Sequence, residues 1–148
     1  ALSGAIGTGD AVLAAQAIGA DYAYIGSAFI AMEEARASED YKRAIVDGRA
    51  EDIVYTNLFT GVHGNYLRGS IENAGLDPAN LPEADPSKMN FGSGGNTDAK
   101  AWKDIWGSGQ GIGAIDAVQS TADYVARLTE EYEAARARIN LASGRAPR

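Results

Sequence analysis

The chain of 148 residues contains no cysteine, one histidine and only four prolines. Without cysteine there is no disulfide, no thiolate nucleophile and no Cys-ligated zinc, a composition that suits a cytoplasmic protein. A single histidine cannot anchor a metal site of the usual kind. No apolar run approaches the roughly 20 residues that span a bilayer, and Ala1-Leu2-Ser3 lacks the charged start and long apolar stretch of a secretion signal. Basic residues are also scarce. Thirteen Lys and Arg face twenty Asp and Glu, for a formal charge of −7, and no Lys/Arg cluster offers phosphates a basic face. Nucleic acid and membrane are therefore not expected partners.

What is present is an ordinary globular composition, 45% apolar and 22% charged, with eighteen glycines placed at informative points. The chain opens without Met on Ala-Leu-Ser-Gly-Ala-Ile, which reads as a strand tail entering a glycine turn and is expected to belong to a longer protein. Residues 8–19 read as a helix, with Thr8 and Asp10 as capping candidates and Gly19 as the stop. Residues 21–25 read as a short buried strand. Strand, helix and strand make a βαβ unit, which requires parallel pairing and a right-handed crossover. A second helix is expected over 38–47, capped by Ser38. An extended segment is expected over 52–60, loop over 75–96, and a helical turn or two over 98–106. The glycine-dense run Gly107-Ser-Gly-Gln-Gly-Ile-Gly113 follows. A last helix runs from Ser120 to about Leu141, with Asp123 completing a cap at Ser120 and Val125, Leu128, Tyr132 and Ala135 as its buried stripe. Residues 143–148 read as a frayed tail.

The chemistry-bearing feature is a pair of glycine turns, Ser3-Gly4-Ala5-Ile6 and Ile25-Gly26-Ser27-Ala28-Phe29. In parallel α/β folds ligands bind at the carboxyl ends of strands, where a glycine turn lets the backbone come close and a following helix offers free N–H groups. Two such turns on neighbouring strands can aim their amides at one phosphate, as in the phosphate site after strands 7 and 8 of a (β/α)8 barrel. Ser27 adds a hydroxyl, and no Lys or Arg is needed.

The run from Ser3 through Phe29, Ser-Gly-Ala-Ile-Gly-Thr-Gly-Asp-Ala-Val-Leu-Ala-Ala-Gln-Ala-Ile-Gly-Ala-Asp-Tyr-Ala-Tyr-Ile-Gly-Ser-Ala-Phe, resembles the nitronate monooxygenase signature. So do Phe59-Thr60-Gly61, Asn65-Tyr66-Leu67-Arg68 and Trp106-Gly107-Ser-Gly-Gln110-Gly111. The resemblance covers most of residues 1–119 and leaves the last helix generic. It implies an α/β fold, the carboxyl-terminal part of a (β/α)8 barrel with an irregular loop and helical extension. Residues 1–50 would form the last βαβ units with the phosphate site, 51–119 a loop-rich extension, and 120–148 a helix and tail. A whole barrel needs about 250 residues, so its other strands would come from a further segment of the same protein. The resemblance also implies FMN, with Gly4 and Ala5 supplying one set of amides to its phosphate, Gly26 and Ser27 the second, and Gln110 lying near its phosphate and ribityl side. The implied reaction is oxidation of an alkyl nitronate with O2 to a carbonyl compound and nitrite. The family's catalytic histidine is expected upstream of these turns, outside this sequence. Two positions depart from the family's pattern. Ala5 stands where a second Gly is usual, which is accommodated if its φ is negative, and Ala28 replaces an Arg. A flavin-dependent enoyl-reductase fed by a nicotinamide, and a non-enzymatic half-barrel that binds a phosphorylated ligand, remain alternatives. Self-association is left open.

Several tempting features have plainer readings. His63 sits in a Gly61-Val-His-Gly64 turn with no acid at ligand spacing, as an ordinary loop histidine would. Gly109-Gln-Gly111-Ile-Gly-Ala114 matches the dinucleotide fingerprint, but neither a preceding strand nor a later acid supports it. Trp102 and Trp106 are four apart, as in a packed helix face. Glu33-Glu34 and Glu130-Glu131 are adjacent pairs, expected on a solvated face.

Overall fold

The computed structural model describes residues 1–84 and 104–142. Strand β1 (Leu2–Ser3) pairs in parallel with β2 (Ala23–Tyr24), Leu2 opposite Ala23 and Ser3 opposite Tyr24. Helix α1 (Gly9–Ala17) makes the crossover, so the expected βαβ unit is present. Thr8 caps α1 by accepting the Ala11 amide at 3.2 Å, and Gly19 leaves the helix at φ +96°. A short helix α2 (Ser27–Ile30) follows the second glycine turn. Helix α3 (Glu39–Asp47) is capped by Ser38, which accepts the Tyr41 amide.

Residues 53–67 form an antiparallel hairpin where a single extended segment was expected. Strand β3 (Ile53–Thr56) pairs with β4 (Gly64–Leu67), and the turn begins before Phe59. Helix α4 (Arg68–Asn73), also not expected, follows directly. Its polar composition hides a period that only burial reveals, with Ser70 and Ile71 inside. Residues 75–84 contain no helix or strand. Trp102, most of the 98–106 helical turns and the frayed tail lie outside the described residues.

The carboxyl-terminal helix α5 (Thr121–Ala142) has the expected start. Ser120 accepts the Asp123 amide at 3.0 Å and donates to its carboxylate at 2.7 Å. Its inward face keeps Leu128, Tyr132 and Ala135 of the expected stripe and takes Tyr124 in place of Val125. Tyr124 is fully buried and Ala135 nearly so, whereas Val125 is 47% exposed. An aromatic ring with a polar tip can enter the core when its hydroxyl finds a partner, as that of Tyr124 does at the Gly7 carbonyl. The core joins Ala28 of α2, Met32 just past it, Ile45 of α3, Leu67 of β4, Ile112 of the 3₁₀ turn Gln110–Ala114 and Tyr124 of α5. Each fully buried Ile contributes roughly 1.5–3 kcal/mol of transfer free energy. Lys42 is also buried, its ammonium donating to the Glu33 carbonyl at 3.2 Å and lying 3.4 Å from Glu39 Oε1. No described helix is long and apolar enough to cross a membrane.

Candidate functional site

Parallel pairing of β1 and β2 brings both strand tips to one end, so the turns at 4–5 and 26–27 lie side by side. The first tip reverses through Gly4 at φ +104° and Ala5 at φ +53°. The negative φ expected of Ala5 is therefore not adopted. The chain turns through the left-handed region just ahead of the buried Ile6 and Gly7, and a residue with a Cβ bears the strain. At the second tip Gly26 has φ −111° and ψ −59°, ordinary helical space. A Cβ added at Gly4 would meet nothing within 4 Å, and one at Gly26 only the Tyr24 ring at 3.9 Å. Both turns thus border open space. Among the described residues the amides of Ala5 and Gly26 have no hydrogen-bond partner.

The glycine-dense segment forms a third wall. Gly109 donates its amide hydrogen to Ser27 Oγ at 2.8 Å. A Cβ on Gly7 would lie 2.8 Å from the Gly111 carbonyl, and one on Gly111 would lie 3.2 Å from the Ile6 carbonyl, so the two backbones touch. Gln110 lies between these contacts and is exposed. Upstream, the segment continues the hairpin as a bridge of Gly107 to Tyr66, with the Leu67 amide donating to the Trp106 carbonyl at 2.8 Å. Tyr41 stacks on Trp106, centroids 5.1 Å apart, and donates its hydroxyl to the Gly107 carbonyl. Burial holds the Tyr41 phenol above its ordinary pKa and hence a donor. The five candidate residues Gly4, Ala5, Gly26, Ser27 and Gln110 are therefore gathered at one end of the β1–β2 pair.

The free N–H groups expected at α1 are partly spoken for. Glu131 accepts the Gly9 amide at 2.7 Å, and Thr8 takes that of Ala11. Glu131 is thus an internal cap and not part of a solvated face. Glu34 is exposed, as expected, and also accepts the Thr121 amide at 3.0 Å and its hydroxyl at 2.9 Å at the start of α5. Acids at helix N-termini are favourable, and both found one far along the chain. Sequence reasoning had no signal for either partner. It also passed over Tyr124, whose hydroxyl donates to the Gly7 carbonyl at 3.2 Å, and Arg127, which reaches the Ala114 carbonyl at 3.3 Å. Burial keeps the Tyr124 phenol above its ordinary pKa.

His63 is exposed and stacks on Tyr55 at 4.9 Å, on the hairpin and outside the gathered turns. Trp106 packs against the core. An open groove of about 500 Å³ runs between α1 and α5 beside Asp21, Tyr22 and Ala23. It adjoins the amino end of β2, and its lining includes none of the gathered turn residues.

Comparison with known proteins bears on the family and the fold. The family model for nitronate monooxygenase matches residues 2–131. A nitronate monooxygenase from Paraburkholderia phytofirmans is 32% identical over 100 residues, 67% of this chain and 27% of that protein. The nitroalkane oxidase structure from Streptomyces ansochromogenes superposes with TM-score 0.68 at 28% identity, covering 93% of this chain and 40% of that one. FabK from Thermotoga maritima, at 20% identity and TM-score 0.64, covers 93% and 45% and shares the fold. The chain thus spans about a quarter of the curated relative and under half of each solved structure. Its α/β arrangement is that of the carboxyl-terminal part of a (β/α)8 barrel. The chain belongs to the nitronate monooxygenase family of oxidoreductases.

Proposed function

We propose that this chain is the phosphate-gripping part of an FMN-dependent oxidoreductase that converts alkyl nitronates, with O2, to carbonyl compounds and nitrite. The observation that carries the reading is the gathering of three glycine segments, 4–7, 26–27 and 107–111, at the carboxyl ends of two parallel strands. Gly4, Ala5 and Gly26 would offer amides to the phosphate. Ser27 uses its oxygen as acceptor for Gly109 and keeps its O–H to donate. The exposed Gln110 would border the ribityl side. Flavin supplies the redox chemistry when bound, and these residues bind and orient it. No catalytic residue is assigned within the chain. A nitronate-activating histidine, and the surface that covers the isoalloxazine ring, would come from the rest of the barrel, in a cytoplasmic enzyme.

Gly26→Val is the direct test. A Cβ there meets only the Tyr24 ring, at 3.9 Å, and Gly26 has a negative φ that a residue with a Cβ can adopt, so the fold should be kept while the space above the turn is filled. FMN retention should fall at least tenfold, followed by flavin fluorescence, while circular dichroism stays unchanged. FMN affinity equal to that of the unaltered protein would refute the assignment.

A further inference from the structure

Tyr124 bridges the segments that follow the two glycine turns, touching Gly7 behind the first and Phe29 behind the second. It is fully buried. Its hydroxyl donates to the Gly7 carbonyl at 3.2 Å, immediately behind the first turn. Its ring meets the Phe29 ring edge-on, centroids 5.3 Å apart and planes at 86°, and Phe29 sits two residues past Ser27 in α2. The Arg127 guanidinium lies 5.3 Å from the ring centroid, and the same side chain reaches the carbonyl of Ala114 at the end of the third wall. A rigid aromatic with few rotamers, held by a cation on one face, is suited to fix a distance between two backbone segments. The β1–β2 ladder is only two residues long on each side, too short to set the spacing of its tips alone.

We infer that Tyr124 is a positioning residue that holds the two glycine turns at the separation an anion must span. It touches neither ligand nor reacting atoms. The inference rests on the phosphate reading above only for its consequence in binding; the coupling of the turns is a property of the unliganded protein. Its logic is that of a binding shell whose precision comes from the side chains behind it.

Two substitutions act on opposite sides of the same ring. Tyr124→Phe keeps the ring and leaves the Gly7 carbonyl unpaired; Phe29→Leu keeps apolar volume and removes the edge-on contact. In the unliganded full chain, amide hydrogen exchange should quicken at the first bonded amides behind each turn, Gly9, Ala11 and Val12 in the first variant and Phe29 and Ala31 in the second. Each variant should also lose about fivefold of the preference for FMN over riboflavin, the worth of roughly one net hydrogen bond. Ser38→Ala, which loses the α3 cap, is the control for a general loss of stability and should leave that preference unchanged. A purely structural role would weaken FMN and riboflavin alike, which would overturn the inference. Unaltered exchange behind either turn would also overturn it. If the unsubstituted chain binds FMN no better than riboflavin, the phosphate reading falls, and the exchange data alone decide whether Tyr124 couples the turns.

Discussion

The Gly109 amide donates to the Ser27 hydroxyl oxygen at 2.8 Å, a contact between residues 82 apart in the chain. It joins the start of α2 to the glycine-dense segment and is half-buried. Ser27→Ala would leave the Gly109 N–H unpaired, at a cost of about 1–2 kcal/mol. Ser27→Thr should retain most of that stability, since the hydroxyl is kept. Urea unfolding of both variants is the measurement, and equal losses in the two would show that the hydroxyl is not what matters.

At Gly9 the backbone of α1 lies close against α5. A Cβ there would lie 2.3 Å from both the Leu128 carbonyl oxygen and the Tyr132 nitrogen. Those are backbone atoms and cannot swing aside. Gly9→Ala should therefore separate the helices, weaken the Glu131 cap on the Gly9 amide, and destabilise by about 3 kcal/mol. Calorimetric unfolding would detect it; a variant as stable as the unaltered chain would contradict this packing.

Ala5 sits at φ +53°. Left-handed backbone costs a residue with a Cβ roughly 1–2 kcal/mol, and glycine returns part of that gain as extra chain entropy, about 0.4–1 kcal/mol. Ala5→Gly should be net stabilising by about 0.5–1 kcal/mol, and Ala5→Val destabilising. Paired denaturation midpoints test the sign.

Glu34 makes the start of α5 sensitive to acid. A hydrogen bond from its own amide, then those from the Thr121 amide and hydroxyl, hold its carboxyl below the ordinary value. A carboxylate whose pKa is lowered by folding adds stability above its unfolded value and loses it as pH falls through the folded one. Glu34→Gln should therefore be less stable than the unaltered chain at neutral pH. The gap should narrow once pH drops below about 4, as followed by denaturation midpoints across pH. A gap constant with pH would argue against the charge.

Much of the local structure around the candidate site was legible in the sequence. Thr8 and Ser38 cap where their types and positions say they should, and the two glycine turns end strands that pair in parallel. The β3–β4 hairpin was not legible, because its turn carries Leu58 and Phe59 and reads as a continuation of the strand. Nor was the function of the paired acids. Glu34 and Glu131 read as plain surface charges until their partners, Thr121 and Gly9, are known.

Sequence alone determined the family, the βαβ unit and the residues of both turns, because strand ends, caps and glycine turns are written in neighbours a few positions apart. Only the tertiary structure decided that residues 107–111 form a third wall, that Ala5 is strained, and that α5 buries Tyr124 in place of Val125. Each of those depends on contacts between distant segments, where close backbone approach and the pairing of buried polar groups select one conformation, and no local pattern encodes them.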